Sequence, residues 1–197
     1  MSHRNSTIRR KTKETNIELK LNLDGAGQVS AATGVGFLDH MLDHLGKHSL
    51  CDLTVTASGD LHVDDHHTVE DVAICLGQAL AEALGDKAGI RRYGWASVPM
   101  EESLANVALD LSGRAAVVLN VAFVGDKIGT FDVQLIGEFL RRLGAVAAMN
   151  LHVNVPYGTN DHHIAEAIFK AFAQALRIAK SVDPERAGEV PSTKGTL

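Results

Sequence analysis

The sequence predicts an α+β protein built as a tandem duplication, each half a β-sheet carrying two helices on one face. Three observations predict it. Segments of alternating apolar and polar residues are interleaved with segments whose apolar residues recur every three or four positions. These segments follow the same order in both halves of the chain. Six residues of the first half (His66, His67, Glu70, Gln78, Ala79, Leu80) recur without a gap as His162, His163, Glu166, Gln174, Ala175 and Leu176, at a constant offset of 96 residues.

In the first half, Ile17, Leu19, Leu21 and Leu23 alternate with polar residues and end at Asp24-Gly25, a strand running into a turn. Phe37, Leu38, Met41, Leu42 and Leu45 carry helical spacing, with Gly46 as the expected stop. Leu53, Val55 and Ala57 form a strand before the turn at Gly59-Asp60, and a long helix runs from about His66 to Leu84, ahead of Gly85. The second half offers strands at Val107-Leu109-Leu111 and Val117-Leu119-Val121-Phe123, then a helix near Phe131 to Leu143. A strand through Met149, Leu151, Val153 and Val155 and a helix from about His162 to Ala179 complete it. The division falls near Gly89, giving half-repeats 1–89 and 90–197, and the final segment Pro191–Leu197 has the composition of a tail.

Composition narrows the function. At 197 residues and 45% apolar, the chain can bury a substantial core. No apolar run approaches membrane-spanning length, and Met1–Lys13 is polar and basic without the apolar stretch of a secretory signal, so a cytoplasmic location and no membrane partner are expected. A net charge of −5 with scattered cations and only 5% aromatic residues leaves no footprint for nucleic acid. Cys51 and Cys75 lie in apolar surroundings without CxxC spacing, which predicts buried free thiols.

The duplicated motif carries the chemistry. Asp65 is a natural N-cap, placing His66 and His67 in the first helical turn. His66 and Glu70, four apart, share one helix face and can grip one ion, whereas His67 is rotated about 100° away and must look elsewhere. Asp161-His162-His163-Ile164-Ala165-Glu166 makes the same offer. One arrangement sets His66, Glu70 and His163 around one ion and His162, Glu166 and His67 around another, each needing one more ligand. Aligning Phe37–Leu42 with Leu135–Leu140 pairs His40 with Glu138 as those extra ligands. A single His-His pair is more often a surface or capping feature, but a solvated face has no reason to repeat both histidines and the glutamate. Imidazole and carboxylate without thiolate favour Mn²⁺, Fe²⁺ or Zn²⁺, and several ligands with open positions favour octahedral Mn²⁺. His44, His48, His62 and His152 read as structural on spacing alone.

Taken together, Phe37–His44, Asp64–Asp71, Leu109–Arg114 and the His162 to Phe172 segment resemble the imidazoleglycerol-phosphate dehydratases of histidine biosynthesis, over about Thr12 through Leu197. The resemblance implies a ribosomal protein S5 domain 2-like duplicated fold, two Mn²⁺ per active site, and a homo-24-mer with metal sites between subunits. It implies dehydration of D-erythro-1-(imidazol-4-yl)glycerol 3-phosphate to 3-(imidazol-4-yl)-2-oxopropyl phosphate and water. The hydrogen removed is not acidic by itself, so the ring must act as electron reservoir. Ring nitrogens held by two cations favour an imidazolate, which expels the neighbouring hydroxyl through a diazafulvene-type intermediate.

By the same resemblance Glu14 is the proton-transfer residue, Arg92 and Arg114 bind phosphate, and Ser192, Thr193 and Lys194 contact substrate from the tail. His40 and His48 line the substrate site, His40 also as a ligand. Without the resemblance Glu14 is an exposed strand-edge carboxylate and each arginine a solvated charge. One departure is Glu138, where many members carry a histidine ligand; it makes the two metal sites unequal in charge. Whether Arg91 or Arg92 faces the phosphate is open at this level. Two rivals stand beside this reading. A binuclear metallohydrolase requires a bridging carboxylate that is not identifiable, and a non-enzymatic metal-binding scaffold leaves Glu14, Arg92, Arg114 and Lys194 without purpose.

Overall fold

Strand β1 (Asn5–Lys11) carries one strongly apolar inward residue, Ile8, and its other inward positions are polar. Ser6 donates to Glu82 at 2.5 Å and Arg10 to Asp71 at 2.8 Å, so a strand with almost no hydrophobic alternation is still satisfied at its inner face. That is why periodicity passes over it. The computed structural model describes residues 4–186 and 188–197, so the first three residues of the basic N-terminal segment lie outside the described residues.

β1 pairs antiparallel with β2 (Thr15–Asn22), followed by the short β3 (Val29–Ala32), α1 (Gly36–Ser49), β4 (Asp52–Gly59) and α2 (His66–Leu84). The second half repeats the order with β5 (Tyr93–Met100), β6 (Ser103–Asp110), β7 (Ala116–Asn120), a small hairpin of β8 (Lys127–Ile128) and β9 (Phe131–Asp132), α3 (Gln134–Val146), β10 (Asn150–Tyr157) and α4 (Asp161–Ala179). The sheets have matching orders, β1-β2-β4-β3 and β5-β6-β10-β7, each antiparallel except for its last pair, which is parallel. The expected α+β duplication is thus the observed fold.

α2 lies on β1 and β2, and α4 lies on β5 and β6; α2 also packs on α3 and α4 on α1. Helices of the two halves therefore interleave between the two sheets and share one core, whose largest fully buried side chains include Phe139, Phe169 and Phe172. This cross-half pairing decides which side chains meet at the helix N-termini. Cys51 and Cys75 are buried and free, and burial pushes the Cys75 thiol up to about 11.

Several boundaries differ from the sequence reading. α1 does not stop at Gly46 but runs to Ser49, because Gly46 is a packing residue: a Cβ there would lie 2.4 Å from Val29 Cγ2. Phe131 belongs to β9 and packs on Phe37 at 5.0 Å, so α3 begins three residues later. Val121 and Phe123 lie beyond the end of β7, packed only in part against the core. β5 hides from periodicity because it contains Gly94 and, as an edge strand, tolerates Pro99.

Gly94 is where α4 crosses closest. A Cβ there would sit 1.9 Å from the Ala175 carbonyl oxygen and 3.0 Å from the Ala179 nitrogen, atoms of a helix backbone that cannot turn aside. Gly94→Ala is expected to cost about 3 kcal/mol or more, because the whole helix must lift off the sheet. Urea unfolding at neutral pH measures it; a shift of a few tenths would show that the helix has room.

Acid sensitivity has a local source in the β2–β3 loop. Asp52 accepts hydrogen bonds from the Ala26 and Gln28 backbone N–H groups at 2.9 Å each, and donation by Gln28 first, then Ala26, outweighs partial burial to hold its carboxyl below the ordinary carboxylate value. A group depressed in the folded state contributes stability above its unfolded value, about 3.9, and loses it as pH falls through the folded value. Asp52→Asn should therefore lower the unfolding temperature near neutral pH, with the gap to the parent closing on acidification. The effect is modest because the carboxylate is largely solvated. A gap independent of pH would show that the charge plays no part.

Candidate metal centres and anion cleft

Each long helix starts with its two histidines because polar side chains cap it, although not the ones first expected. At α2 the cap is Asp64, whose Oδ1 accepts the His66 N–H at 2.8 Å; Asp65 makes no such bond. At α4 Asn160 Oδ1 accepts the His162 and His163 N–H groups at 3.0 and 3.4 Å. Asp161 instead receives the Val124 and Gly125 N–H groups, tying the β7–β8 connection to the helix.

Once the helices are set, two clusters form. His162 Nε2 and His40 Nε2 each lie 3.0 Å from Glu166 Oε1, bringing α4 of the second half against α1 of the first. His66 Nε2 lies 3.7 Å from Glu70 Oε2, and Glu138 on α3 joins them. In each cluster the candidate donor atoms lie within 4.8 Å of one another, a spacing that one cation can gather. His40 therefore goes with the second-half motif and Glu138 with the first.

The clusters differ in charge: one has two imidazoles and one carboxylate, the other one imidazole and two carboxylates. Glu166 is buried, which opposes ionisation, but hydrogen bonds from Lys170 (2.6 Å), His40 and His162 prevail and hold its carboxyl well below the usual carboxylate range. In the other cluster Arg142 Nε lies 2.5 Å from Glu138 and 3.0 Å from Glu70. Each centre thus has a cation one helical turn after one of its carboxylates. Neither cation was anticipated, because an i,i+4 Lys or Arg on a helix usually marks only a solvated face.

His67 and His163 fall outside both clusters of their own chain. His67 Nδ1 meets Asp60 at 3.0 Å, with its Nε2 3.9 Å from Glu14 Oε1; His163 Nδ1 meets Glu102 at 2.6 Å. Glu14 is half exposed. Hydrogen bonding to Asp60 raises the His67 pKa against the effect of desolvation. His48 stacks on His44 at 5.7 Å, and His44 lies 4.5 Å from His40, so α1 presents three histidines along one face. Burial lowers the pKa of both His44 and His48, and His44 Nε2 lies 3.4 Å from Glu166 Oε2. The four-residue spacing of His40, His44 and His48 was the signal that could have found His44.

Arg92, Arg114, Ser192, Thr193 and Lys194 line a single open cleft of about 520 Å³. Arg91 lies elsewhere, in a second cleft with Arg4 and Arg177. The Arg92 fork is already committed: Nε and Nη2 donate to Asp110 at 2.6 and 3.0 Å and Nη1 to the Pro191 carbonyl at 2.7 Å, fastening the tail over the cleft. No ion pair among the described residues engages Arg114 or Lys194, which leaves their charges for an anion.

The cleft and the His40–His162–Glu166 cluster lie far apart within one chain. The Arg92 backbone N–H donates to Ala179 at the C-terminal end of α4, whereas His162 is at its N-terminal end, about 26 Å away at 1.5 Å per residue.

Comparison with known proteins agrees with this architecture. The family model described as imidazoleglycerol-phosphate dehydratase matches residues 33–176. The chain is 58% identical to the imidazoleglycerol-phosphate dehydratase of Granulibacter bethesdensis, covering 98% of this chain and 99% of that one, and 57% identical to one from Rhodopseudomonas palustris, covering 98% of each. Among solved structures it superposes on the Staphylococcus aureus enzyme with a TM-score of 0.83 at 38% identity, covering 91% of this chain and 99% of the other. A Pyrococcus furiosus structure, in complex with (S)-C348, gives 0.83 at 35% identity, covering 96% and 100%. Among the described residues no helix is long and apolar enough to cross a membrane. With identity on this scale over nearly the whole length and the same fold, the chain belongs to the imidazoleglycerol-phosphate dehydratase family and is a hydro-lyase of histidine biosynthesis acting on a small phosphate substrate.

Proposed function

We propose that the chain dehydrates D-erythro-1-(imidazol-4-yl)glycerol 3-phosphate to 3-(imidazol-4-yl)-2-oxopropyl phosphate with two divalent cations per site, at sites completed by neighbouring copies. The observation that carries this reading is the separation of the His40–His162–Glu166 cluster from the anion cleft by the length of α4. A substrate of one ring, three carbons and a phosphate is far too short to touch both ends. A second copy must bring its cleft to the first copy's clusters, which agrees with the homo-24-mer implied by the resemblance.

The donor sets suit a hard-to-borderline dication: imidazole and carboxylate, no thiolate, and open positions, with Mn²⁺ preferred over Fe²⁺ or Zn²⁺. His66, Glu70 and Glu138 would hold one ion with His163 of the partner subunit, and His40, His162 and Glu166 the other with His67 of the partner subunit. Such cations supply the electron sink that a ring without an adjacent carbonyl lacks.

Glu14 lies beside His67 and so travels with it to the shared site. There its carboxylate takes the proton from the carbon next to the one losing hydroxide, and the resulting enol becomes the ketone by proton return to the ring-side carbon. Arg114 and Lys194 supply charge to the phosphate, Ser192 and Thr193 supply hydroxyl donors, and Arg92 anchors the tail that carries three of them. His48, stacked on His44, lines the substrate site from α1.

The test is turnover of imidazole glycerol phosphate by metal-stripped protein, with and without Mn²⁺, following the enolisable ketone. Product only after Mn²⁺ addition is expected; equal turnover by rigorously stripped protein would remove the metals from the reaction.

A further inference from the structure

We propose that Asp60 and Glu102 are positioning residues that hold His67 and His163 in the one tautomer able to ligate a metal through Nε2. This inference rests on the reading of those two histidines as ligands. A carboxylate only accepts hydrogen bonds, so a neutral imidazole nitrogen facing it must carry the proton. Asp60 presents both oxygens to His67 Nδ1, at 3.0 and 3.2 Å, and Glu102 Oε2 faces His163 Nδ1 at 2.6 Å. In both rings the lone pair is then left on Nε2. Among the described residues neither Nε2 makes a hydrogen bond; Glu14 Oε1 lies 3.9 Å from His67 Nε2.

The two carboxylates come from different places in their half-repeats. Asp60 follows β4 and lies seven residues before its histidine. Glu102 sits in the turn between β5 and β6, 61 residues before its own. The halves thus reach the same contact from unrelated positions, although the histidines themselves are related by the repeat. Glu102 also divides its labour: Oε1 accepts the Thr159 and Asn160 N–H groups at 3.2 and 2.8 Å, holding the approach to α4, while Oε2 is left to the imidazole. A carboxylate fixing the far nitrogen of a ligating histidine sets the ring's orientation and raises its basicity.

The experiment compares Asp60→Asn and Glu102→Gln with His67→Ala and His163→Ala, titrating metal-stripped protein with Mn²⁺ and reading free ion by electron paramagnetic resonance. In Glu102→Gln the amide must either offer a donor to Nδ1 or turn that donor toward the Thr159 and Asn160 N–H groups, so one contact is lost in either rotamer. In Asp60→Asn the amide oxygen can still accept from Nδ1, and what is lost is the negative charge that raises the ring's basicity. Each amide variant is expected to bind the ion served by its own histidine about 10- to 100-fold more weakly, with the other ion unaffected and, in Asp60→Asn, with the thermal midpoint of the metal-free protein unchanged. Parent-like binding in both amide variants, with binding lost in both alanine variants, would overturn the positioning role and leave the ligand reading standing. Parent-like binding in the alanine variants would remove the ligand reading and this inference with it. Weaker binding by Asp60→Asn accompanied by a matching fall in its metal-free midpoint would reassign that carboxylate to folding.

Discussion

Glu14→Gln should lower kcat by about 100- to 10,000-fold while leaving Mn²⁺ content and KM close to the parent's. The substitution keeps size and hydrogen-bonding capacity but removes the ability to take a proton. Folding has little stake in this side chain: it is half exposed in the turn just before β2, its carboxylate lies 3.9 Å from His67 Nε2, and the local turn is held by Thr12, whose hydroxyl accepts the Glu14 and Thr15 N–H groups. An effect confined to kcat is the signature of a group acting in the transition state. Steady-state turnover with metal analysis on the same sample decides it; a variant that turns over normally, or that fails only because metal is lost, would end the assignment.

His162→Ala should abolish one ion per chain and reduce kcat/KM by at least about 1,000-fold, the equivalent of roughly 4 kcal/mol of transition-state stabilisation from one cation. The residue is suited to the test because its side chain is well exposed, whereas Glu166 is buried and its loss would strand Lys170. Metal analysis should show the His66, Glu70 and Glu138 centre still loaded. Retention of both ions with parent activity would mean that the His40 cluster is an ordinary hydrogen-bonded group.

The departure at Glu138 gains meaning from its surroundings. A carboxylate at this position adds negative charge to one cluster, and Arg142, one turn on and within 3.0 Å of both Glu138 and Glu70, offsets it. Glu138 is a candidate ligand through geometry and not only through alignment. The metallohydrolase alternative finds no support in this arrangement, since the two clusters contain no carboxylate in common.

The duplication, the long helices with their histidines in the first turn, and the i,i+4 grip of His66 on Glu70 and His162 on Glu166 are legible in the order of residues alone. These are local properties: a helix of 3.6 residues per turn brings i and i+4 together whatever it packs against. Only the tertiary structure decided that α1 crosses α4 and α3 crosses α2, which assigns His40 to one centre and Glu138 to the other across 126 and 68 residues. Only it brought Glu102 to His163, Arg92 to Asp110 and the tail to the cleft. Contacts between distant segments depend on how whole helices and sheets bury their apolar faces together, and that is a property of the assembled core, with no fixed spacing along the chain to record it.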